Sequence, residues 1–599
     1  MTELIWEGKY DKDGRKVAPL RVALPFQTVE TINESAQERQ RTLDLVADGR
    51  DNEWRNRLIW GDKKYVLPAL LSEFVGRVDL IYIDPPFYSG DDFTLQIKVD
   101  SGEFTKQPSL IERKAYNDTW GHGLDGYLLW FSETCTLLRE LLTDRGSLFV
   151  HLDWHVGHYA KVVLDDLFHS ENFRNEIVWH YYNKLQGNVN RFASNHDVIF
   201  WYVKSTEAAF NRLREVRDVP KRQQKRAWDQ ATKTLKQARD AEGKLIYYTE
   251  TERTLDDVWR LPYIMPADRT QKLAYPTQKP EALIERVIEA ASEPGSLVMD
   301  CFVGSGTTAA VAERLGRRWI AADLSRFAVH MTRKRLLSMG ELQPFVVQNL
   351  GKYERQLWQT AEFGEQAQAR TAAYRRFILS LYKAQPIEGY AWLHGIRQGK
   401  HVHVGTVDAP VTVSDITQIA SEFRRAIGTG VDAPTTKSID VLGWDFAFEM
   451  NEVARQTADK AGIDIHFVRI PREVLDKRAV EQGDVRFFEL AALEVDVSRQ
   501  GREVTLRLSN FIIPTDDVPD DVQRAITDWS QWIDYWAVDW DNQSDTFHNE
   551  WQTYRTRKDP KLQKSTKRQY ADAGQYKVVV KVIDILGNDT TKSLIVEVP

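Results

Sequence analysis

The sequence predicts an α/β protein in which a mostly parallel central sheet is followed by a smaller α/β module and a strand-rich C-terminal region. Three observations predict this order. A buried strand at residues 78–83 stops at two prolines, a strand–turn–helix–strand unit spans residues 296–323, and strand patterns dominate from residue 494 onward. Strands separated by helices favour parallel pairing, whereas strands joined by short turns favour a β-sandwich.

The length of 599 residues exceeds what one hydrophobic core usually supports, so several domains are expected. The changes of pattern along the chain predict their boundaries. These are an N-terminal extension at 1–54, the central-sheet domain at 55–345 with a basic insertion at 205–260, a helical connector at 346–395, an α/β module at 396–490 and a β-rich C-terminal domain at 491–599.

Composition excludes several classes of protein. A hydrophobic fraction of 42% and a charged fraction of 28% are typical of globular chains and argue against extended disorder or a fibrous repeat. The polar N-terminus does not resemble a signal peptide and no stretch approaches 18 uninterrupted apolar residues, so we expect a soluble, cytoplasmic protein. Two cysteines are too few for a disulfide framework. The net charge of −7 means that any DNA contact must come from local basic segments.

The central-sheet domain shows two units. In the first, the strand at 78–83 is followed by a helix at about 124–142 and a strand at 148–150. In the second, a strand at 296–299 leads through a glycine-rich turn into a helix beginning at Thr307, and the strand at 318–322 ends on Asp323. This βαβ pattern has the length of a nucleotide-type cofactor half-site.

Beyond residue 345 the pattern changes twice. The α/β module has predicted strands at 402–405, 438–442 and 463–468, with predicted helices at 415–427 and 448–461. The β-rich domain has a predicted hairpin, with strands at 494–497 and 504–508 around Gln500 and Gly501, and two final antiparallel strands at 576–584 and 593–598.

The first candidate site is the loop Asp84, Pro85, Pro86 and Phe87, at the end of a buried strand where open α/β sheets expose side chains to ligands. The prolines stiffen the turn, and the Asp84 carboxylate and the Pro85 carbonyl both accept hydrogen bonds. Such a loop suits an amino group with two hydrogens to donate, and Phe87 can stack on the attached ring. A purely structural turn at a strand end is the alternative.

The second candidate site is the turn from Asp300 to Thr308. Gly304 and Gly306 let a bulky ligand approach the backbone, and the turn opens a helix whose first amides are free. Asp323, at the next strand end, is placed to accept hydrogen bonds from ribose hydroxyls. The turn lacks the lysine of a P-loop, which argues against ATP or GTP; a dinucleotide site and a structural turn remain alternatives.

Four motifs, taken together and in this order, resemble a known family. They are Asp84 to Phe87, an Asn-His-Asp-x-Ile-x-x-Tyr stretch at 195–202, Pro-Thr-Gln-Lys-Pro at 276–280, and Phe-x-Gly-x-Gly at 302–306. The chain is similar, over residues 55 to 345, to the DNA amino-methyltransferases of the β class, in which the catalytic tetrapeptide precedes the cofactor loop.

The resemblance implies a Rossmann-like, seven-stranded, mostly parallel sheet that binds S-adenosylmethionine, with Asp84 to Phe87 gripping the base. It places Asp323 at the ribose, and Thr277 with Lys279 at the carboxylate end of the cofactor. The cofactor loop would border the methionine and adenosine parts through Asp300, Phe302, Gly304, Ser305, Gly306 and Thr307. No metal is required, and for the histidines of segment 151–158 packing near the pocket is favoured over a divalent-metal site.

A local basic segment is the predicted contact with double-stranded DNA. Between Arg212 and Arg239 there are ten Lys or Arg against three acidic residues. The predicted DNA-binding residues are Arg212, Arg214, Lys221, Arg222, Lys225 and Arg226. The alternative is a pair of solvated basic helices. A second basic cluster at 555–568 suits either a phosphate backbone or the lining of a sandwich loop.

The resulting hypothesis is a site-specific DNA methyltransferase that modifies an exocyclic amino group. In the family that the chain resembles, an Asp at the first tetrapeptide position, here Asp84, favours adenine N6, and the resemblance implies a role in a restriction–modification or other phage-defence system. Cytosine C5 chemistry is disfavoured, because neither Cys135 nor Cys301 follows a proline. The absence of a P-loop or nuclease cluster suggests separate helicase or nuclease partner subunits, and a homodimer is left open. The alternatives are a DNA-binding scaffold subunit with a degenerate methyltransferase domain, a cytosine-N4 enzyme, or an enzyme that methylates RNA or protein.

Overall fold

The computed structural model describes most of the chain, and the statements below refer to that part. The described residues are 3–34, 54–87, 95–99, 102–106, 123–184, 190, 192–230, 232–265, 268, 271–273, 275, 277–427, 433–448, 462–514, 518, 520–556 and 559–599.

Helices and strands alternate in the first half of the chain, whereas strands dominate near the C-terminus. The strands are β1 (Gln27–Ile32), β2 (Asn56–Trp60), β3 (Val78–Ile83), β4 (Leu95–Val99), β5 (Gly102–Lys106), β6 (Leu142–Leu152), β7 (Phe173–His180), β8 (His196–Val203), β9 (Arg214–Gln224), β10 (Arg226–Asp229), β11 (Thr234–Gln237), β12 (Tyr247–Thr254), β13 (Val258–Arg260), β14 (Leu297–Asp300), β15 (Arg318–Asp323), β16 (Phe345–Asn349), β17 (Gln385–Pro386), β18 (Gly395–Arg397), β19 (Lys400–Val404), β20 (Ser438–Gly443), β21 (Asp464–Arg469), β22 (Phe488–Glu489), β23 (Ala492–Gln500), β24 (Glu503–Ile512), β25 (Ile533–Asp539), β26 (Phe547–Asn549), β27 (Trp551–Tyr554), β28 (Ser565–Gln569), β29 (Gly574–Asp584) and β30 (Asp589–Val598). The helices are α1 (Lys63–Phe74), α2 (Gly123–Leu141), α3 (Gly157–Phe168), α4 (Glu281–Ala291), α5 (Thr307–Arg314), α6 (Arg326–Leu337), α7 (Gly351–Phe363), α8 (Ala367–Leu381), α9 (Val413–Ala426), α10 (Lys477–Glu481) and α11 (Asp520–Ala525).

The central sheet confirms the predicted α/β class. Its strand order is β13-β7-β8-β6-β3-β14-β15-β2-β16-β1-β26, and the six strands from β6 to β16 run parallel. Alternate residues of β3 enter opposite cores: Leu80 and Tyr82 pack in one, Ile81 and Ile83 in the other. The first core includes α4 and α5, and the second includes α1, α2 and α3. Helices on both faces explain why the middle strand β14 is buried along its whole length.

This sheet is wider than the seven strands that the family resemblance implied. Strand β1 adds to its edge against β16, and β26, from the C-terminal region, pairs in parallel with β1. The carboxylate of Glu30 in β1 is fully buried, and it accepts hydrogen bonds from Arg333 at 2.8 Å and from Lys581 at 2.7 Å. The central sheet and the C-terminal strands therefore share one core, which also contains Tyr535 and Val579.

The predicted α/β module forms a second sheet of six strands in the order β17-β18-β19-β20-β21-β22, with β19, β20 and β21 parallel. Its predicted strands and the helix predicted at 415–427 are confirmed; the latter is α9, which begins at a capping box formed by Thr412 and Asp415. The helix predicted at 448–461 lies almost entirely outside the described residues.

The C-terminal strands form two antiparallel sheets, β23-β24-β28 and β27-β25-β29-β30, around a core that contains Trp536 and Val580. The predicted hairpin is confirmed as β23 and β24, with Gly501 at φ +61° in its turn. The predicted final pair is confirmed as β29 and β30, which pair over ten residues.

The basic insertion is built from strands, not from the helix pair considered as an alternative. Strand β9 pairs antiparallel with β12, and β10 pairs with β11 beyond them. We call residues 212–254 the arm.

No helix in the described part of the chain is long and apolar enough to span a membrane. The domain boundaries stay a prediction.

Candidate active site

Three carboxylates lie at the same edge of the central sheet. Asp84 directly follows β3, Asp300 ends β14 and Asp323 ends β15. These strands are parallel neighbours, so their carboxyl ends meet at one edge, which is where open α/β sheets bind ligands. Both candidate sites from the sequence are therefore adjacent in space.

Asp84 uses one carboxylate oxygen and leaves the other without a protein partner. Its Oδ2 accepts a short hydrogen bond from the Nζ atom of Lys279. Its Oδ1 is buried and has no hydrogen-bond partner among the described residues. A buried acceptor without a donor costs free energy unless a ligand supplies one, so this atom suits an amino hydrogen.

Lys279 stays charged in this setting. Burial by itself would lower the pKa of its ammonium, but the carboxylates of Asp84 and Asp197 outweigh that effect and raise the pKa above its ordinary value. Its Nζ atom also lies 5.2 Å from the centre of the Phe87 ring. The residue predicted at the cofactor's carboxylate end is thus bonded to the catalytic loop.

Phe87 lies on a polar chain of side chains from three strands. Its ring stacks on His151 at a centroid distance of 5.9 Å and an angle of 26°. His151 Nε2 lies 3.2 Å from Asp197 Oδ2; since a carboxylate only accepts, Nε2 donates, which leaves Nδ1 to accept from the Tyr82 hydroxyl at 2.8 Å. The chain fixes the orientation of the ring beneath Phe87.

Asp197 completes that chain as an anion. Burial would raise the pKa of its carboxyl, but the hydrogen bond from His151 and the charge of Lys279 lower it below its ordinary value. The Tyr181 hydroxyl also donates to it at 3.3 Å. Sequence reasoning had flagged the 195–202 stretch that contains Asp197 without a role for this residue.

The cofactor loop is held by Asp300. Its Oδ1 accepts from the Phe302 amide at 2.9 Å and its Oδ2 accepts from the Thr308 hydroxyl at 2.6 Å. Burial raises the pKa of Asp300 to about 7, because the donors around it offset the desolvation of its charge only in part.

Two glycines shape the loop. Gly304 and Gly306 have φ values of +51° and +79°, in the left-handed region that favours glycine. A Cβ atom on Gly306 would lie 2.9 Å from the Cα of Thr332, and one on Gly304 would lie 3.1 Å from the Tyr275 ring. The glycines are therefore required both by backbone conformation and by close packing.

Asp323 also organises this loop. Its two carboxylate oxygens accept from the amides of Gly304 and Ser325, each at 2.9 Å. Because it links the loop to the start of α6, its position is fixed before any ligand arrives. Its predicted contact with a ribose stays a prediction.

Helix α6 supports the loop from behind, which the sequence did not reveal. Arg335 donates to the Ser305 carbonyl at 3.3 Å and to the Thr307 hydroxyl at 2.8 Å. The Thr307 hydroxyl lies 3.3 Å from the Lys279 carbonyl, to which it donates. Hydrogen bonds thus run from α6 through the cofactor loop to the segment that carries Lys279.

A second feature missed by sequence reasoning is Lys63, at the start of α1. Its Nζ atom lies 3.9 Å from the centre of the Trp130 ring and 5.4 Å from that of Phe302. Burial lowers the pKa of this ammonium to about 8. The only sequence signal was its position just after the strand β2, at the ligand-binding edge.

The remaining predicted residues are Thr277 and the rest of segment 151–158, whose His151 stacks on Phe87. Thr277 is exposed. In segment 151–158, His155 contacts Asp153 at 2.5 Å, and within the described ranges no three His, Cys, Asp or Glu side chains are grouped as metal ligands.

The arm carries the predicted DNA-binding residues. Arg212, Lys221, Lys225 and Arg226 are exposed. Arg214 is half-exposed and pairs with Glu252 at 3.1 Å, whereas the Arg222 guanidinium lies 4.2 Å from the centre of the Tyr247 ring. Not all six are therefore equally available to a partner.

The second basic cluster is largely engaged within the protein. Arg568 pairs with Glu550, Lys564 with Asp528 at 3.3 Å, and Lys567 with Glu503 at 3.0 Å. These pairs favour the lining of a sandwich loop over a phosphate contact. Arg557 and Lys558 lie outside the described residues.

Comparison with known proteins finds a family match and several relatives for part of this chain. Residues 78–334 match the family model described as DNA methylase. The Type II methyltransferase M.EcaI of Enterobacter cloacae is 26% identical over 329 residues, which are 47% of this chain and 69% of that protein. M.BglII of Bacillus subtilis is 29% identical over 253 residues, 40% of this chain and 65% of that protein.

Among solved structures, the complex of M1.HpyAVI with SAM aligns over 47% of this chain and 98% of its own, with 18% identity and a TM-score of 0.30.

Proposed function

We propose, from the premise that residues 78–334 belong to the DNA amino-methyltransferase family, that the protein transfers a methyl group from S-adenosylmethionine to an exocyclic amino group of a DNA base. The observation that carries this proposal is the buried Asp84 Oδ1, an acceptor with no donor among the described residues, in the loop that ends with Phe87. Family membership and the geometry of the loop support the same reaction.

The residues present fit the cofactor. The left-handed glycines at 304 and 306 leave no room for a Cβ atom and bring bare backbone to the ligand-binding edge, beside the N-terminus of α5. In this proposal the loop from Asp300 to Thr307 would hold the methionine and adenosine parts, and Asp323 the ribose. Thr277 would lie at the carboxylate end. When bound, the cofactor supplies an electrophilic methyl group on a sulfonium.

The base pocket positions the nucleophile. Asp84 Oδ1 and the Pro85 carbonyl would accept the two amino hydrogens, which localises the nitrogen lone pair and aims it at the methyl group. Phe87, fixed on His151, would stack against the base. Lys279 holds Asp84 in place and keeps a positive charge beside its carboxylate.

The transfer itself is an in-line displacement. The nitrogen–carbon bond forms while the carbon–sulfur bond breaks, and the nitrogen then loses one proton, for which Asp84 Oδ1 is the adjacent acceptor. Positioning and exclusion of water supply the rate enhancement, and no strong base is needed.

The finer identity of the substrate is also a proposal. Asp84, a carboxylate at the first position of the tetrapeptide, supports adenine N6 as the target. The relatives are Type II methyltransferases, which supports a role in restriction–modification or another phage-defence system. Double-stranded DNA is the proposed partner, contacted through the arm.

The test is labelling with tritiated S-adenosylmethionine in the presence of DNA, RNA or protein. We expect label in DNA as N6-methyladenine, and a loss of at least a thousandfold in rate for Asp84→Ala, of the size seen when a transition-state hydrogen-bond partner is removed. Asp144→Ala is the control, because Asp144 is exposed at the opposite end of the strand that carries His151.

Each alternative has its own outcome. N4-methylcytosine in the DNA would correct the base, and label in RNA or protein alone would exclude DNA as the substrate. DNA binding without any label would favour the scaffold hypothesis. Full activity of Asp84→Ala would remove the assigned site.

A further inference from the structure

The arm ends in an exposed apolar pair that no part of the proposed site uses. Beyond β9 and β12, the strands β10 and β11 form a separate finger, in which Trp228 lies directly opposite Leu235. Each of these side chains is 60% exposed. Directly opposed residues of an antiparallel pair point to the same face, so the two form one apolar surface.

Such a surface is costly to leave in water, and the described residues of the finger do not cover it. A two-stranded hairpin buries little by itself and is marginal without a partner. Exposing a large aromatic and a leucine to this extent forfeits part of the free energy that their full burial would supply. We therefore expect a binding partner to cover Trp228 and Leu235.

The charges of the arm indicate which occupant. At its base the basic side chains are neutralised: Arg217 pairs with Glu250 at 2.5 Å, and Glu215 receives both Arg253 and Arg286. Towards the finger pairing is sparser, although Lys236 pairs with Asp229 at 2.8 Å. Lys221, Lys225, Arg226 and Lys233 have no carboxylate partner among the described side chains.

One free cation shares the face of the apolar pair, and others lie near it in sequence. Arg226 precedes Trp228 by two residues and so lies on the same face of the finger, and residues 225–237 contain four Lys or Arg against the single Asp229. An apolar surface with free cations near it is complementary to stacked bases between two phosphate backbones. A two-stranded ribbon also has the width of a DNA groove.

We propose that Trp228, supported by Leu235, is a wedge that the arm inserts between adjacent base pairs of double-stranded DNA. The free cations hold the flanking phosphates while the indole replaces part of the lost stacking. A partly unstacked step is easier to open, which lowers the cost of turning a neighbouring base out of the helix. This inference rests on the proposed function, because it takes DNA as the substrate.

The wedge is tested by DNA unwinding, which needs no knowledge of the recognition sequence. Closed plasmid is relaxed by a type I topoisomerase in the presence of the full-length protein and S-adenosylhomocysteine, which has no methyl group to transfer. Insertion into the stack unwinds the duplex, so we expect wild-type protein to shift the topoisomer distribution. At matched DNA occupancy Trp228→Ala should abolish the shift, and Trp228→Phe should retain most of it.

Two further variants separate stacking from charge. Val216→Ala is the matched control, since Val216 is 77% exposed on the same arm but lies near its base; it should unwind as the wild type does. Trp228→Ala should bind duplex DNA about tenfold more weakly with an unchanged salt dependence. Lys225→Ala should instead reduce the slope of log affinity against log salt by about one.

The outcomes distinguish this proposal from the proposed function. Wild-type protein that methylates DNA but causes no unwinding, or a Trp228→Ala variant that unwinds normally, overturns the wedge alone. Unwinding that depends on Trp228, in a protein that labels RNA and never DNA, retains the wedge and removes the proposed reaction.

Discussion

Ion pairs occur in two contrasting regions of the molecule. At the junction of α6 with the C-terminal strands, Glu30 is fully buried and holds Arg333 and Lys581, whose side chains are at most one-tenth exposed. On the arm, Arg214 and Glu252 are each about half exposed. The chemical groups are the same, and only their contact with water differs.

This difference assigns the two regions different tasks. Buried charges have lost their hydration, so each needs its partner. The ion pairs of the junction join residues that are distant in the chain, and Glu30 and Lys581 are more than five hundred positions apart. Exposed pairs contribute little to stability because water and salt screen them. On the arm, ion pairs neutralise the cations at the base, whereas several cations near the finger have no partner. This distribution favours binding over folding.

The largest effect is expected for Glu30→Gln, which removes the central charge of the buried junction. The amide cannot neutralise Arg333 and Lys581, so two buried cations would lack a counter-charge, and we expect the free energy of unfolding to fall by about 3–5 kcal/mol. Urea denaturation measures it. Glu252→Gln on the arm is the control, with an expected change within about 0.5 kcal/mol. Equal effects of the two substitutions would show that burial does not separate the regions.

The next effect concerns the cofactor loop, which α6 joins to the junction. Gly306→Ala places a Cβ atom against Thr332 at a φ of +79°, so the loop must shift, and we expect S-adenosylmethionine to bind at least about tenfold more weakly by calorimetry. Gly295→Ala is matched to it: its φ is +82°, but nothing lies within 4 Å of the added carbon. That variant should lose some stability and keep its affinity, and weakened binding in both would assign the effect to backbone strain alone.

The sequence predicted the parts of the site whose chemistry is local. Asp84 to Phe87 and Phe302 to Gly306 were recognisable because their residue types are required by a turn at a strand end, wherever the chain goes next. The central sheet followed from the βαβ pattern in the same way.

Features that depend on strand order could not be predicted. Asp197 contacts His151 only because β8 lies beside β6 in the sheet, and Glu30 meets Lys581 of β29 only because the C-terminal strands pack against the central sheet. On the arm, the positive charge could be predicted from the sequence, but the strand conformation could not. The opposition of Trp228 and Leu235 depends on a turn four residues wide, and no periodicity in the sequence revealed it.

Asp300 is a buried carboxyl that has hydroxyl and amide donors in place of cations. The folded-state pKa of Asp300, about 7, lies above its value near 4 in an unfolded chain, so the folded protein binds the extra proton between these values. The contribution of this group to stability is therefore fully present below pH 4 and is lost as pH rises to about 7.

Asp300→Asn removes that titration while keeping an acceptor for the Phe302 amide. We expect the variant to gain on the wild type by a few kcal/mol between pH 4 and 8, since each pKa unit corresponds to about 1.4 kcal/mol. Urea denaturation of both proteins without cofactor, across this range, measures the difference. Parallel stability curves would show that Asp300 does not titrate there.

The smallest effects are expected on the arm itself, where they separate paired from free cations. Arg214→Ala removes a side chain already neutralised by Glu252, so the salt dependence of DNA binding should stay close to that of the wild type. Arg226→Ala removes a free cation beside Trp228 and should lower the salt slope by about one, with unchanged thermal stability. Fluorescence anisotropy titrations at about 50 to 200 mM salt, a range that includes physiological ionic strength, measure this difference in salt slope. A slope lowered equally by both substitutions would mean that the Glu252 pair opens when DNA binds, and that even the base of the arm is free to contact phosphate.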